Sequence, residues 1–396
     1  MDTQERAVFS AAAEQWLVRG GGVDVEIAAP GGLRTEEMIL NIGPQHPSTH
    51  GVLRLALELD GEVITRAEPV IGYMHRGAEK LAEQRDARQV LVLMNRHDWL
   101  SAFNNELGFV IAVERLAGIE VPERAQWIRT MMAELNRLLN HLMFFGSYPL
   151  ELGAMTPVFY AFIEREMIQN LMETATGARM HHSYARVGGV KDDLPRGFMK
   201  QAAEVLKHVR KRLKDFDNLI MGNEIIHART VGVGVIPREV AIGYGASGPT
   251  LHASGVPMDP RKDEPYEKYG EVEFQVPVGR NGDSYDRLWV LLRRMHESCN
   301  IVEQCLEKMP AGEYRTAKLP KKLKLEGEVY VRTENPLGLM GYYLVGDGRK
   351  QPYRLKMRTA SFSNVSLLPA ILPGTLIPDL ISILGSIFFV VGDVDR

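Results

Sequence analysis

Four places in this sequence gather side chains that could move protons or hold a metal. His46 and His50 stand four residues apart in Gly43-Pro-Gln-His-Pro-Ser-Thr-His-Gly51. That segment holds too much proline and glycine for a helix, so the spacing does not align the two rings on one face, and metal ligation would need further ligands. A histidine at a loop tip can exchange protons near neutral pH; a plain polar turn residue is the other reading. Asn95-Arg-His-Asp-Trp99 sets a cation, an imidazole, a carboxylate and an indole in a row at an expected helix start, where Asp98 by itself reads as an N-cap. Glu151 follows Pro149 and Leu150 among apolar neighbours. Burial would raise its pKa, whereas pairing with a core arginine would keep it ionised. His181-His182 reads as a metal pair, a proton site or, most simply, loop hydrogen bonders. None of these groups names a reaction.

Composition narrows the field. The chain has 396 residues, 45% of them apolar and 24% charged, the balance of an ordinary folded protein with room for two or three lobes. A net charge of −3 gives no reason to expect nucleic acid as a partner. Cys299 and Cys305 are the only two cysteines, too few for a disulfide framework or for the four thiolates of an iron–sulfur cluster. They read as small core residues. No secretory signal is expected. The apolar stretch from Ser366 to Val391 is interrupted by Pro369, Pro373, Pro378 and Asp379, so a buried or subunit-facing segment is expected there instead of a membrane span.

The elements that must position these groups follow from periodicity. Residues 1–35 read as a flexible leader, an Ala-rich helix and then a Gly-rich linker. Residues 36–74 read as an antiparallel β domain, with a hairpin signalled by Asp60-Gly61 between two alternating runs. Residues 75–312 form the expected helical core. Its clearest helix starts at Pro122 and carries Ile128, Met131, Leu135, Leu138, Leu142 and Phe145 at alternating spacings of three and four, a bundle seam. Helices are also expected over Trp99–Leu116, Pro157–Thr174, Phe198–Met221 and Asp286–Met309. Residues 313–396 read as a linker and a C-terminal mixed β/α segment, with strands near Glu328–Arg332, Met340–Val345 and Tyr353–Met357. The class is α+β. None of the Gly-rich loops follows a strand and opens a helix, so none reads as a dinucleotide site.

Longer motifs carry a family resemblance. Asn41-Ile-Gly-Pro-Gln-His-Pro-Ser-Thr-His-Gly-Val-Leu-Arg54, Ile71-Gly-Tyr-Met-His-Arg-Gly-Ala-Glu-Lys80, Leu138-Leu-Asn-His141, Leu152-Gly-Ala-Met-Thr-Pro157, Arg186-Val-Gly-Gly-Val190, Val276-Pro-Val-Gly279 and Gly392-Asp-Val-Asp-Arg396 occur in order. Together they resemble the D (49-kDa) subunits of respiratory complex I, over residues 36–396. The resemblance implies a fold shared with the large subunit of NiFe hydrogenases. The hydrogenase places for two Cys-x-x-Cys pairs read here Arg96-His-Asp-Trp-Leu-Ser101 and Gly392-Asp-Val-Asp-Arg396, without a thiol, so hydrogenase chemistry is not expected.

What the resemblance implies is a peripheral-arm subunit of an NADH-quinone oxidoreductase-type translocase, inactive as a single chain and bound to the cytoplasmic side of the cell membrane. The expected partners are the B subunit with its terminal 4Fe–4S cluster, the C and I subunits, the membrane-embedded H subunit, and quinone; no cofactor is expected on this chain itself. Carried over by motif, His50 matches the histidine that bonds a quinone carbonyl, and Glu151 stands where an aspartate usually pairs with it. Arg96 and His181 match cluster-proximal residues, and Val394 is expected at the quinone site. Trp99 departs from the family: a quinone-binding tyrosine would fall here, and an indole donates a hydrogen bond but does not readily release its proton. The linker Ala311–Leu325 also lacks the usual helical stretch, which leaves the electron donor open. A docking scaffold without quinone chemistry is the alternative reading.

Overall fold

The computed structural model describes residues 37–396; the expected leader lies outside them. Three antiparallel strands come first, β1 (Glu37–Ile42), β2 (Arg54–Asp60) and β3 (Val63–Val70), in that spatial order. Asp60-Gly61 turns the chain between β2 and β3 as expected. Leu55, Leu57 and Leu59, alternate residues of β2, are all buried.

Five long helices follow: α1 (Ala102–Ala117), α2 (Glu123–Glu151), α3 (Thr156–Thr176), α4 (Phe198–Phe216) and α5 (Ser284–Lys308). α2 packs on α3, α3 on α4, α4 on α5 and α5 back on α2, a four-helix bundle with α1 against α2. The six seam residues of α2 are all buried, and so are Arg129, Glu134, Arg137 and His141. α2 is therefore buried on more than its apolar stripe, and its polar residues must find partners inside the bundle. Cys299 and Cys305 are buried, unpaired residues of α5, and burial pushes the Cys299 thiol up to about 12.

Two boundaries differ from expectation. Residues Trp99–Ser101 precede α1 because the Asp98 Oδ1 accepts the N–H of Leu100 (3.0 Å) and of Ser101 (3.2 Å), closing a turn of their own. Asp98 thus caps that turn and not the helix. At the end of α4, Asp217–Met221 widen into a π turn.

At the C-terminal end, β4 (Glu326–Asn335), β5 (Gly338–Asp347) and β6 (Arg354–Arg358) pair antiparallel throughout. The links Pro336-Leu337 and 348–353 are too short for the crossover that a parallel pair requires. α1 lies against β4 and β5. The apolar stretch beyond them folds into short helices, among them α6 (Leu380–Ser386) and the terminal α7 (Val391–Asp395). Its Leu367, Leu368, Ile383 and Leu384 share one apolar cluster with Leu53 and with Leu55, Leu57 and Ile64 of the first sheet. That is why the stretch is apolar: it is the second layer of a sheet made at the other end of the chain. No helix of the described residues is long and apolar enough to cross a membrane. The α+β class holds.

Candidate functional site

His50 ends a 3-10 turn, Pro47–Thr49, in the left-handed conformation with φ 48°. The Thr49 hydroxyl ties that turn to the carbonyls of Pro44 and His46, and His46 Nδ1 accepts the Ser48 N–H at 3.2 Å. His46 is thus the polar turn residue, and His50 is the ring that the turn presents. Its Nδ1 lies 2.7 Å from the Phe389 carbonyl oxygen. A carbonyl only accepts, so Nδ1 carries the hydrogen and Nε2 is the nitrogen left for exchange. Nε2 faces Glu151 Oε1 at 3.7 Å, and the ring stacks on Phe389 with centroids 4.3 Å apart.

Glu151 is the last residue of α2. Its Oε2 is buried without a hydrogen-bond partner. Among the described residues no arginine pairs with it; His50 is the partner. At 3.7 Å the pair is too long for a neutral hydrogen bond, and a proton on Nε2 would draw it into a charge-assisted one. Behind it Gly385 of α6 leaves room for the carboxylate, since a Cβ there would lie 2.6 Å from Oε2.

Next to Trp99 sits a second acid–base group. His97 is buried, with Nδ1 3.0 Å from Asp393 Oδ1 and Nε2 3.3 Å from the Tyr342 hydroxyl. Burial works against the Asp393 carboxylate, yet the hydrogen bond and charge of His97 hold its pKa below the ordinary value. Asp98 goes the other way: burial, and then the negative charge of Asp393, push it up to about 7. One buried acid is held ionised and its neighbour has a proton to give near neutrality. Trp99 is half-buried, its ring against Gly392 of α7, where a Cβ would lie 2.8 Å from Cζ3 and 2.5 Å from the His97 carbonyl oxygen. Its indole N–H makes no hydrogen bond among the described residues. Val394 is wholly buried in the cluster beneath the first sheet.

Arg96 and His181 meet at Asn95. The Asn95 side-chain oxygen accepts Arg96 Nη1 at 2.5 Å and its carbonyl accepts His181 Nδ1 at 2.9 Å. Asn95 Nδ2 in turn donates to Glu106 Oε1 at 2.8 Å. The buried Glu106 also collects the N–H groups of Ser183, Tyr184 and Ala185, which fixes the loop that carries His181. Burial lowers the His181 pKa and the charges of Arg96 and Arg76 lower it further. His182 is buried, with Nδ1 3.1 Å from the Ala178 carbonyl oxygen, the loop hydrogen bonder expected.

The structure therefore joins His50 to Glu151, Arg96 to His181, and Trp99 to α7. The chain end ties them together. Phe389 holds His50, Asp393 holds His97, and Asp395 accepts the N–H groups of Gly72 (2.8 Å) and Met74 (2.7 Å) while its carbonyl oxygen lies 2.7 Å from His75 Nδ1. Phe389, Asp393, Asp395 and Glu106 were not singled out from sequence. Two carboxylates in a terminus that is otherwise apolar were the available signal.

The family described as respiratory-chain NADH dehydrogenase, 49 Kd subunit, matches residues 151–326 and 321–396. The first of the D subunits of NADH-quinone oxidoreductase in Streptomyces coelicolor is 56% identical over 378 residues, 94% of this chain and 99% of the relative. The chain belongs to the 49-kDa subunit family. Two further similar proteins are also D subunits of NADH-quinone oxidoreductase. The second such subunit of Salinispora tropica is 58% identical over 91% of this chain and 93% of its own, and that of Bacillus mycoides is 47% identical over 92% and 100%. Membership in the 49-kDa family makes the chain one component of a complex I-type oxidoreductase, with other components of that complex as its partners.

Proposed function

We propose that this chain forms the quinone head-group site of its complex together with the B subunit, beside the terminal 4Fe–4S cluster which that partner carries. In this reading it sits in the peripheral arm on the cytoplasmic side of the cell membrane, near the C, I and H subunits, and quinone reduction there is coupled to proton translocation. The observation that carries the reading is the His50–Glu151 pair. One imidazole nitrogen is pinned by a carbonyl, and the other faces a carboxylate whose second oxygen has no partner.

Reducing a quinone takes two electrons, supplied by the partner's cluster, and two protons. With a second proton on Nε2 the cationic His50 ring donates to one quinone carbonyl and passes that proton as the oxygen gains charge, returning to the form protonated on Nδ1 alone; the Glu151 carboxylate steadies the cation. On the other side the Trp99 N–H can donate a hydrogen bond but does not release a proton, so the second proton needs another source. Asp98, next in the chain and protonated near neutrality, has one to give. Arg96 and His181 add positive field and hydrogen bonding that raise the potential of a nearby cluster.

The test is His50→Ala in the assembled membrane complex. Electron flow to quinone should fall on the order of 10²-fold, while reduction of a water-soluble artificial acceptor continues. Unchanged flow to quinone overturns the role given to His50. The scaffold reading is motivated by Trp99, and a quinone or inhibitor bound next to His50 in the complex would remove it.

A further inference from the structure

Hydrogen counting sets the protonation of a histidine that the mechanism above leaves unused. The His97 side chain is 0% exposed. Its Nε2 lies 3.3 Å from the Tyr342 hydroxyl, and that hydroxyl lies 2.9 Å from the Asn105 carbonyl oxygen. A phenol has one hydrogen and a carbonyl only accepts, so the Tyr342 hydrogen points at Asn105 and its oxygen faces Nε2 as an acceptor. On the other side Nδ1 lies 3.0 Å from Asp393 Oδ1. Asp393 Oδ2 accepts the Ser361 N–H at 2.9 Å, and the Arg358 guanidinium of β6 adds a positive charge near the same group. Asp393 is therefore a carboxylate, which also only accepts. Both nitrogens of His97 face acceptors, so both carry hydrogen. A lone cation is costly to bury, and Asp393 is the charge that offsets it.

The neighbours of this cation give it a use. Asp98 follows it in the chain and is buried as well. His97, Asp98 and Asp393 thus share one region without solvent, where charges act on one another far more strongly than in water. Burial first, and then the Asp393 charge, favour a proton on Asp98; the His97 charge opposes it. Burial keeps Tyr342 of β5 a neutral phenol, and Glu106 of α1 faces it. The same segment carries the indole. A Cβ on Gly392, next to Asp393, would meet the His97 carbonyl oxygen at 2.5 Å and Trp99 Cζ3 at 2.8 Å.

We propose that His97 stands as an imidazolium beside Trp99 and that its charge lets Asp98 part with its proton. The inference rests on the quinone-reducing reading above. Without the cation, two buried carboxyls would have nothing to steady a second negative charge, and Asp98 would hold its proton against transfer. With it, the carboxylate left on Asp98 has a positive neighbour. His97 gives up no proton itself. It is a positioning residue that acts through Asp98.

The experiment measures the pH profile of quinone reduction in the assembled membrane complex, with a water-soluble artificial acceptor as control. In the parent the rate falls as Asp98 loses its proton, at about pH 7. His97→Gln keeps a donor and removes the charge. Its fall should move up by about one pH unit or more, with the rate below it reduced severalfold because the acid is weaker. Asp393→Asn removes the opposing charge, and its fall should move down by about as much. Tyr342→Phe takes the acceptor from Nε2–H and should move the fall up by less than His97→Gln. It decides the matter if the other two complexes do not assemble. Profiles with the artificial acceptor should match the parent's. A merely structural role cannot give shifts of opposite sign. Parent-like profiles overturn the inference; so do shifts of one sign in His97→Gln and Asp393→Asn, or lost rate at an unmoved pH. If His50→Ala also leaves flow to quinone intact, the quinone reading itself has failed; if His50→Ala stops it while these profiles stay unmoved, the role of His97 alone has.

Discussion

His50 can exchange a proton at only one nitrogen, because the Phe389 carbonyl holds the other at 2.7 Å. The same kind of control separates Asp98 from Asp393. Both are buried, but His97 bonds Asp393, which leaves Asp98 as the carboxyl that keeps its proton. A testable pH dependence follows. The Asp98 pKa rises from 3.8 to about 7 on folding, so the fold favours its neutral form. The stability that this contributes is whole below about pH 4 and is lost as the pH rises through about 7. Asp98→Asn is neutral at every pH and keeps an oxygen for the Leu100 and Ser101 N–H groups. Its complex should show a thermal midpoint that changes less than the parent's between about pH 5 and pH 8; an identical slope would count against the assignment.

At the level of elements, α6 sets how closely the carboxylate approaches His50. Gly385 stands where a Cβ would meet Glu151 Oε2 at 2.6 Å and the Tyr148 ring at 2.9 Å. The Tyr148 ring is pinned by its hydroxyl, which donates to the Ser382 carbonyl at 3.0 Å. Gly385→Ala should therefore displace the carboxylate and slow quinone reduction roughly tenfold, within what a misplaced acid–base partner costs. Adding Glu151→Asp, one methylene shorter, should recover part of the rate. Steady-state assays of the two variants check this, and no recovery in the double variant would place the damage at Tyr148.

Across the whole molecule, the last helix joins segments from opposite ends of the chain. Asp395 accepts two backbone N–H groups from the loop that leads to His75 and Arg76. Asp395→Asn keeps one acceptor oxygen and turns an amide NH2 toward the other donor. The cost should be about 1–2 kcal/mol locally. Hydrogen exchange over residues 72–76 should quicken while the bundle helices stay protected; unchanged protection of that loop would show that α7 does not hold it.

Local pattern already spelled out much of this molecule. The seam of α2, the Asp60-Gly61 hairpin and the five long helices all depend on residues a few positions apart. Glu106 was invisible because a lone carboxylate in a buried helix looks the same whether it braces a loop or pairs with an arginine. The antiparallel course of β4–β6 required knowing that both links are hairpins. His50 to Phe389 spans 339 residues, His97 to Asp393 spans 296 and Gly72 to Asp395 spans 323. No periodicity encodes such pairings. Which of two acids near Trp99 holds a proton, and which nitrogen of His50 can exchange one, therefore waited on the folded chain, because burial and neighbouring charge set both.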